Sequence, residues 1–388
     1  MARFIVEGGT PLRGEITAKG NKNSALPLIA ASLLTNEPVI LRNLPRIRDV
    51  TAMLEIVSGL GATVDWLDPQ SVKICTADVK RTAIDPKLSR EIRTSLLVAG
   101  PMLARFKKVT LGPPGGDVIG RRRSDTHWLA LQAFGATVSH DRAGFGLEAT
   151  ELAGADVLLD EQSVTATENA LLCAVLAPGR TVIRNAASEP HVQELSMVLV
   201  QMGARVHGIG TNTLEIRGVP TLNGVDHEIW SDHMEVGSFM GLAAMTHGEL
   251  TVQKCAPQHL AMIRAVFKRL GVDSSVDGDE LHVPAKDRYK NEADHWEIAA
   301  QGTHRDGPVN LNIGFTFDTK AGGLKCILYN ADGQEAALVK GMMIKRYGPP
   351  AKESSLFGAQ SLTWTKPDKI EFVMAQKPVA ATVTQCAP

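Results

Sequence analysis

The sequence predicts an α/β protein built from repeated units, followed by a small α+β module near its carboxyl end. Three observations support this fold class. A glycine-containing turn recurs along the chain, each copy stands within the same order of helix and strand patterns, and the repetition stops near residue 285. One repeated unit of helices and strands cannot bury its apolar faces alone, so we expect the copies to pack together.

The recurring turn reads LGATV at 60–64, FGATV at 134–138 and MGARV at 202–206, with a looser copy, LGVDSSV, at 270–276. Its glycines are 74, 68 and 68 residues apart. Each follows an apolar stretch of helical period, such as VTAMLEIVSGLG. Glycine at this place is expected to end the helix in the left-handed region and release the chain into a strand.

Upstream of each turn, an apolar helix precedes a β-branched strand. In chain order the helix and strand pairs are ALPLIAASLL with PVILRNL, SLLVAGPMLA with KVTLGPP, ENALLCAVLAPG with RTVIRNAA, and GSFMGLAAM with ELTVQKC. Each unit therefore reads helix, strand, helix, strand over about 70 residues.

The polar stretch AKDRYKNEADHWE, 285–297, marks a boundary. Residues 1–284 contain 19 Arg and 9 Lys, whereas 285–388 contain 3 Arg and 10 Lys, together with nine of the eighteen aromatic residues. Beyond the boundary we predict strands at VNLNIGFTF and LKCILYN, a helix at QEAALVKGMMIKRYG, and strands at SLTWT and KIEFVMAQ. These elements make a small α+β module.

Composition excludes several classes of function. The formal net charge of −1 gives no reason to expect nucleic acid or an anionic membrane as a partner. Five separated cysteines without CxxC, and histidines without HxxxH or HExxH, argue against a disulfide framework and against a metal site. The start MARFIVEGGT lacks a signal-peptide pattern, and no apolar run is long enough to span a bilayer, so we expect a cytoplasmic protein.

Three helix entries carry groups that suit an anionic ligand. Lys22 and Asn23 stand where the first helix begins, Arg93 leads into the second unit's helix, and the third entry offers Ser163, Thr165 and Thr167 without a cation. Free N–H groups and the helix dipole favour anions at such ends. The plainer interpretation of Lys22 is a loop lysine beside an Asn cap. If the repeats pack around one axis, these entries converge at one end.

The stretch PPGGDVIGRRRSDTH, 113–127, joins a Gly-rich turn, Asp117 and three consecutive arginines. Most such charge runs are solvated surfaces. The rest of the sequence has to decide whether this stretch is one of them.

Residues 1–284 resemble the UDP-N-acetylglucosamine enolpyruvyl transferase (UDP-N-acetylglucosamine 1-carboxyvinyltransferase) family, which makes the first committed step of bacterial peptidoglycan precursor synthesis. The matching stretches occur in order and with the family's spacing: KNSALP, LGATV, RTSLL, PGGDVIGRR…DTH, SVTATENALL, NAASEP and SDHMEVGSF. The sister enzyme that acts on shikimate 3-phosphate shares the fold and the repeat, but not PGGDVIGRR.

The resemblance implies an enolpyruvyl-transferase-like inverted α/β barrel of repeated βαβαββ-like units. The family has two domains, each a ring of three units with helices inside, joined by a double crossover. Residues 22–228 would form the complete domain, and residues 1–21 with 229–284 would form part of the second. Residues 285–388 would be an unrelated α+β module.

The implied reaction moves the enolpyruvyl group of phosphoenolpyruvate to the 3-hydroxyl of UDP-N-acetylglucosamine and releases phosphate, with no cofactor and no metal. By resemblance Lys22, Arg93 and Arg122 hold phosphoenolpyruvate, and Lys22, Arg122 and the acid Asp117 are the catalytic residues. The nucleotide-sugar site is expected to contain Asn23, Asp125, His127, Ser163, Val164, Thr165 and Glu189.

Asp117 stands where most members of the family carry a cysteine on a mobile loop, and some members carry aspartate there. Either residue can act as an acid if its pKa suits the closed loop. Fosfomycin alkylates that cysteine, so we expect no covalent inactivation of this protein.

The resemblance fails after the fourth repeat. The family continues with two more repeats and an FPTD-like turn whose aspartate is the usual candidate base, and no FPTD follows residue 284 here. Two repeats would need roughly 135–140 residues, and 104 remain. An incomplete second domain would leave apolar faces uncovered, which makes self-association an expectation.

Two hypotheses of different class follow. One is a working transferase whose tail replaces the missing groups. The other is a catalytically incomplete family member or chimera that only binds a UDP-sugar or acts as an interaction protein. A third, an enzyme acting on shikimate 3-phosphate, predicts phosphate release with that substrate instead.

Overall fold

The first strand pairs with a distant part of the chain. β1 (Arg13–Thr17) runs parallel to a strand at Glu249–Gln253, and the chain then enters the first unit. The computed structural model describes residues 10–116, 123–141, 144–285, 296–306, 309–318, 324–332, 335–356, 359–364, 369–376 and 379–386.

The first unit contains one strand more than predicted. The chain after Gly61 forms a hairpin, because an Asx turn in which the Asp68 carboxylate accepts the Gln70 N–H (2.7 Å) reverses its direction. The elements are α1 (Lys22–Ala31), β2 (Val39–Arg42), α2 (Arg48–Leu60), β3 (Thr63–Asp68) and β4 (Ser71–Cys75).

The next two units also end in a hairpin. The predicted order of helix, strand, helix, strand is therefore wrong by one strand, and the observed order is helix, strand, helix, strand, strand. The second unit contains α3 (Pro86–Glu91), a 3₁₀ turn (Arg93–Val98), α4 (Ala99–Phe106), β5 (Lys108–Leu111), α5 (Asp125–Ala133), β6 (Thr137–Asp141) and β7 (Gly144–Glu148). The third contains β8 (Asp156–Leu158), α6 (Val164–Ala174), β9 (Arg180–Arg184), α7 (Pro190–Gln201), β10 (Arg205–His207) and β11 (Thr213–Arg217).

The fourth unit follows a strand that belongs to the first unit's sheet. Its elements, after β12 (Val225–Glu228), are α8 (His233–Met245), β13 (Glu249–Gln253), a 3₁₀ turn (Pro257–His259), α9 (Ala261–Arg269), β14 (Ser275–Asp277) and β15 (Glu280–Val283). The recurring glycines, at 61, 135, 203 and 271, have φ between +82° and +115°, which confirms the predicted left-handed helix ends.

Strand pairing shows that the chain crosses twice between two groups of sheets. β1 precedes α1 but pairs with β13, while β12 precedes α8 but pairs with β2, both in parallel. The first crossing segment is residues 18–21 and the second is residues 229–233. They contact each other, since the Asn21 N–H donates to the Trp230 carbonyl (2.8 Å) and the Asp232 N–H donates to the Lys19 carbonyl (2.7 Å). The sheet orders are β12-β2-β4-β3, β5-β7-β6, β10-β11-β9-β8 and β1-β13-β15-β14.

Helices, rather than strands, occupy the centre of the first three units. Residues 24–31 of α1 and 166–174 of α6 are buried throughout. After Ser24, α1 is apolar on nearly every side, whereas α6 also buries Thr167, Glu168 and Asn169. One apolar core joins residues between Ala25 and Ile229, and a second joins Ala18 to residues between Val236 and Val283.

The carboxyl-terminal region is an antiparallel sheet with one helix, which confirms the α+β prediction. The predicted strands and helix are present, and the sequence pattern missed the strands at 296–306, 352–356 and 379–386, whose mixed polar composition hides the period of two. Within the described ranges, no helix is both long and apolar enough to cross a membrane. The sheet order is β16-β17-β18-β22-β21-β20-β19, and the elements are β16 (Trp296–Asp306), β17 (Val309–Asp318), β18 (Leu324–Asp332), α10 (Glu335–Tyr347), β19 (Lys352–Leu356), β20 (Ala359–Trp364), β21 (Lys369–Gln376) and β22 (Val379–Cys386).

Candidate active site

The described candidate residues lie at the amino-terminal ends of five helical segments. Lys22 and Asn23 begin α1, Arg93 begins the 3₁₀ turn before α4, and Asp125 begins α5. The remaining candidates lie in the first turns of α5, α6 and α7: His127, Ser163, Val164, Thr165 and Glu189. Asp117 and Arg122 lie outside the described residues, so their assignments stay predictions.

Arg123 organises one part of this region. Its guanidinium contacts the carboxylates of Asp125 (2.7 Å) and Asp160 (2.5 Å), and its backbone carbonyl accepts a hydrogen bond from the Arg93 side chain. This guanidinium holds the pKa values of Asp125 and Asp160 below their usual range. Arg93 and Asp125 are thus brought together through a residue that the sequence analysis had not placed in the site.

His127 joins α5 to α6 directly. Its Nε2 lies 3.1 Å from the Thr165 hydroxyl, and its Nδ1 lies 3.0 Å from the Asn169 amide nitrogen. Only 1% of its surface is exposed, and burial, reinforced by the nearby Arg93 charge, lowers its pKa to about 3. His127 is therefore a neutral ring at pH 7, a hydrogen-bonding group rather than a cation.

Hydroxyl groups of Ser163 and Thr167 stabilise the amino-terminal end of α6. Ser163 caps the helix by accepting the Ala166 N–H (3.3 Å), while the Thr167 hydroxyl donates to the Ser163 carbonyl (2.8 Å). Val164 and Thr165 are the first two residues of the helix, where amide hydrogens have no partner within the helix.

Glu189 stands at the N-cap position of α7 and acts electrostatically on a buried neighbour, Glu168 of α6. Burial, and then the Glu189 charge, raise the pKa of Glu168 well above its usual range. Within the described part of the chain, Oε1 of Glu168 is buried without a hydrogen-bond partner. Burial without a partner for this oxygen favours the protonated form of Glu168.

Lys22 forms an ion pair with Asp49 at the start of α2, with Nζ and Oδ2 2.8 Å apart. The two side chains are 45% and 41% exposed, and ion pairs of this kind contribute little to stability. An anionic ligand can therefore compete with Asp49 for the lysine. The Asn23 N–H donates to Asn21, whose amide also lies 3.3 Å from His233 of the second crossing segment.

Glu194 of α7 was also missed by the sequence analysis. It is fully buried and accepts hydrogen bonds from the Ser24 hydroxyl (2.5 Å), the Trp230 N–H (2.7 Å) and His227 Nε2 (2.8 Å). It thereby joins α1, α7, β12 and the second crossing segment through Ser24, the residue that follows Asn23. The available signal was a carboxylate on the apolar face of α7, beside Leu195 and Val198.

Comparison with known proteins identifies the family. The family model for EPSP synthase (3-phosphoshikimate 1-carboxyvinyltransferase) matches residues 6–304. A UDP-N-acetylglucosamine 1-carboxyvinyltransferase of Bradyrhizobium diazoefficiens is 52% identical over 293 residues, which are 75% of this chain and 68% of that protein. Its counterpart in Treponema denticola is 49% identical over 294 residues, 76% of this chain and 69% of that protein.

Solved structures show the same fold. The enolpyruvyl transferase NikO of Streptomyces tendae superposes with a TM-score of 0.63 at 23% identity, over 71% of this chain and 66% of that one. EPSP synthase of Acinetobacter baumannii gives 0.59 at 18% identity, over 72% of this chain and 66% of that one. The chain thus spans about two thirds of the length of the proteins that it matches. By its sequence and its fold, the chain belongs to the enolpyruvyl (1-carboxyvinyl) transferase family, as its motifs predict.

Proposed function

We propose that the protein transfers the enolpyruvyl group of phosphoenolpyruvate to the 3-hydroxyl of UDP-N-acetylglucosamine and releases phosphate. The observation that carries this proposal is the identity of about half, across three quarters of the chain, to relatives named for this sugar nucleotide. The 3-hydroxyl oxygen forms a C–O bond to C2 of phosphoenolpyruvate as its proton passes to a base, while C3 takes up a proton from an acid. The bond between C2 and the phosphate oxygen then breaks as C3 loses one proton, which restores the double bond and releases phosphate.

The site supports this chemistry through charge and hydrogen bonding. Lys22 and Arg93, with Arg122, would bind the anionic groups of phosphoenolpyruvate at helix starts that already favour anions. Asp117 would act as the acid for C3. The nucleotide sugar would lie against Asn23, Asp125, neutral His127, Ser163, Val164, Thr165 and Glu189.

We further propose the domain division 22–228, 1–21 with 229–284, and 285–388. The two separate apolar cores and the crossed pairing of β1 and β12 support the first boundary. The family assignment supports a role in peptidoglycan precursor synthesis in the cytoplasm, and thereby in cell-wall biogenesis, cell shape and the cell cycle.

Self-association through the second domain is part of the proposal. The fourth unit exposes Met245 (78%) and Met262 (76%), with Met234 and Leu270 also more than half exposed. A second copy that covers these apolar side chains would remove them from water.

Phosphate release from phosphoenolpyruvate, measured with and without UDP-N-acetylglucosamine, tests the main proposal. We expect release that depends on the sugar nucleotide, is lost in Lys22→Ala, and persists in the control Lys80→Ala at an exposed lysine. If the wild type releases no more phosphate than Lys22→Ala, the remaining hypothesis is a catalytically incomplete protein that only binds a UDP-sugar or acts in an interaction. Release with shikimate 3-phosphate instead would indicate the sister activity.

A further inference from the structure

The orientation of the Asn169 amide is fixed by backbone groups on both sides. Its Oδ1 accepts the Gly100 N–H (2.6 Å), and its Nδ2 donates to the Leu96 carbonyl (2.8 Å). A backbone N–H can only donate and a carbonyl can only accept, so the opposite orientation of the amide is excluded. Asn169 is fully buried, and Gly100 permits its approach, because a Cβ there would lie 2.3 Å from the Asn169 carbonyl oxygen.

This orientation determines the tautomer of His127. The second hydrogen of Asn169 Nδ2 points to His127 Nδ1 at 3.0 Å, so Nδ1 accepts and carries no proton. The proton of the neutral ring is then on Nε2, which donates to the Thr165 hydroxyl oxygen at 3.1 Å.

The same logic determines the direction of the Thr165 hydroxyl. Because its oxygen accepts from His127, its own hydrogen is free to donate to another group. Thr165 is half-buried in the first turn of α6, whose unbonded amides favour an anion, and the Arg93 charge acts on the same histidine. The acceptor that fits this position is a negatively charged oxygen.

We propose that Asn169 is a positioning residue which, through His127, directs the Thr165 hydroxyl hydrogen to a phosphate oxygen of the nucleotide sugar. This inference rests on the proposed function and names one contact within it. It predicts both a tautomer and a hydrogen-bond polarity, neither of which follows from a merely structural role for Asn169.

The first test needs no variant. Long-range ¹H–¹⁵N correlation spectra of the histidine rings in the full-length protein should show His127 protonated at Nε2 and bare at Nδ1. Asn169→Asp, whose carboxylate accepts from Nδ1–H, should reverse this pattern. A wild-type ring protonated at Nδ1 would overturn the proposal, whether or not the Asp variant folds.

The second test is calorimetric titration with UDP and with UDP-N-acetylglucosamine. Thr165→Val should weaken the binding of both by about tenfold, the loss of one hydrogen bond to a charged group, and Thr165→Ser should restore most of it. An unchanged affinity in Thr165→Val would overturn this proposal alone, and a loss confined to UDP-N-acetylglucosamine would overturn phosphate as the acceptor. Failure of the wild type to bind either nucleotide would overturn the proposed function as well.

Discussion

Two ionisable side chains beside the candidate site, His127 and Glu168, are buried in surroundings that favour their neutral forms. His127 has hydrogen-bond partners for both ring nitrogens, whereas Oε1 of Glu168 has none within the described residues. An unpartnered buried carboxyl favours the protonated state, since burying its charge would be far more unfavourable. The two residues thus provide hydrogen bonding and shape, while Lys22 and the arginines provide charge.

Glu168 should make stability depend on pH. Because its pKa is raised in the folded state, the folded protein holds a proton that the unfolded chain releases above a pKa of about 4.5. Stability is therefore lost as the pH rises from that value, by up to about 1.4 kcal/mol per pH unit for one proton. Glu168→Gln should unfold at a higher temperature than the wild type at pH 7, and at a similar temperature near pH 4.

Calorimetric melting from pH 4 to pH 8 measures this effect, with Glu151→Gln as an exposed control. A difference in melting temperature between the wild type and Glu168→Gln that stays constant from pH 4 to pH 8 would contradict a protonated Glu168.

We expect the residue at 117 to determine the response to fosfomycin. Aspartate offers no thiolate for alkylation, so mass spectrometry of the peptide containing residues 113–127 should show no adduct. Asp117→Cys is the matched variant and should gain one adduct per chain. An adduct on the wild-type peptide would show that the drug reacts without a thiol at this position.

Among the helices and strands, the repeat is predictable because short stretches of sequence determine it. Glycine at a left-handed helix end, with an apolar helix before it, determines where each unit turns, so the four glycines and most helices were identified correctly. The sequence pattern does not predict the hairpins. The reversal at Asp68, for example, depends on a side-chain cap within a short polar stretch. The crossed pairing of β1 and β12 joins residues more than 180 positions apart, which no local pattern contains.

The candidate site was predictable to a similar extent. Helix entries carrying Lys22, Arg93 and Ser163 stand out in the sequence, whereas Arg123, Asn169 and Glu194 act through partners that only the fold supplies.

Glu194 should be the main polar link between α7, α1 and the second crossing segment. Its removal leaves Ser24, His227 and the Trp230 N–H without their buried acceptor. Glu194→Ala should lower the free energy of unfolding by about 3–5 kcal/mol, and Glu194→Gln, which keeps the volume and some hydrogen bonds, by less. Urea unfolding followed by circular dichroism measures both. A loss below about 0.5 kcal/mol in Glu194→Ala would show that the link is dispensable.

For the molecule as a whole, the helices of the fourth unit leave large apolar side chains exposed. The first helices of units one and three, α1 and α6, are buried along nearly their whole length, whereas α8, which begins the fourth unit in the same way, exposes Met245, and α9 exposes Met262. Sedimentation velocity should therefore show association that increases with protein concentration. The double variant Met245→Lys and Met262→Lys should sediment as a monomer.

The control for that experiment is Met197→Lys with Val200→Lys on α7, where both side chains are 42% exposed in the first domain. This control should associate as the wild type does. A wild type that stays monomeric at all concentrations would contradict association through the fourth unit.

In the proposed function, the helix starts of residues 22–228 hold both substrates for enolpyruvyl transfer. Mass spectrometry of the nucleotide products, after incubation with phosphoenolpyruvate and UDP-N-acetylglucosamine, tests it most directly. We expect a UDP-sugar heavier by one enolpyruvyl group, formed only when both substrates are present and absent with Lys22→Ala. Binding of UDP-N-acetylglucosamine without any such product would contradict it.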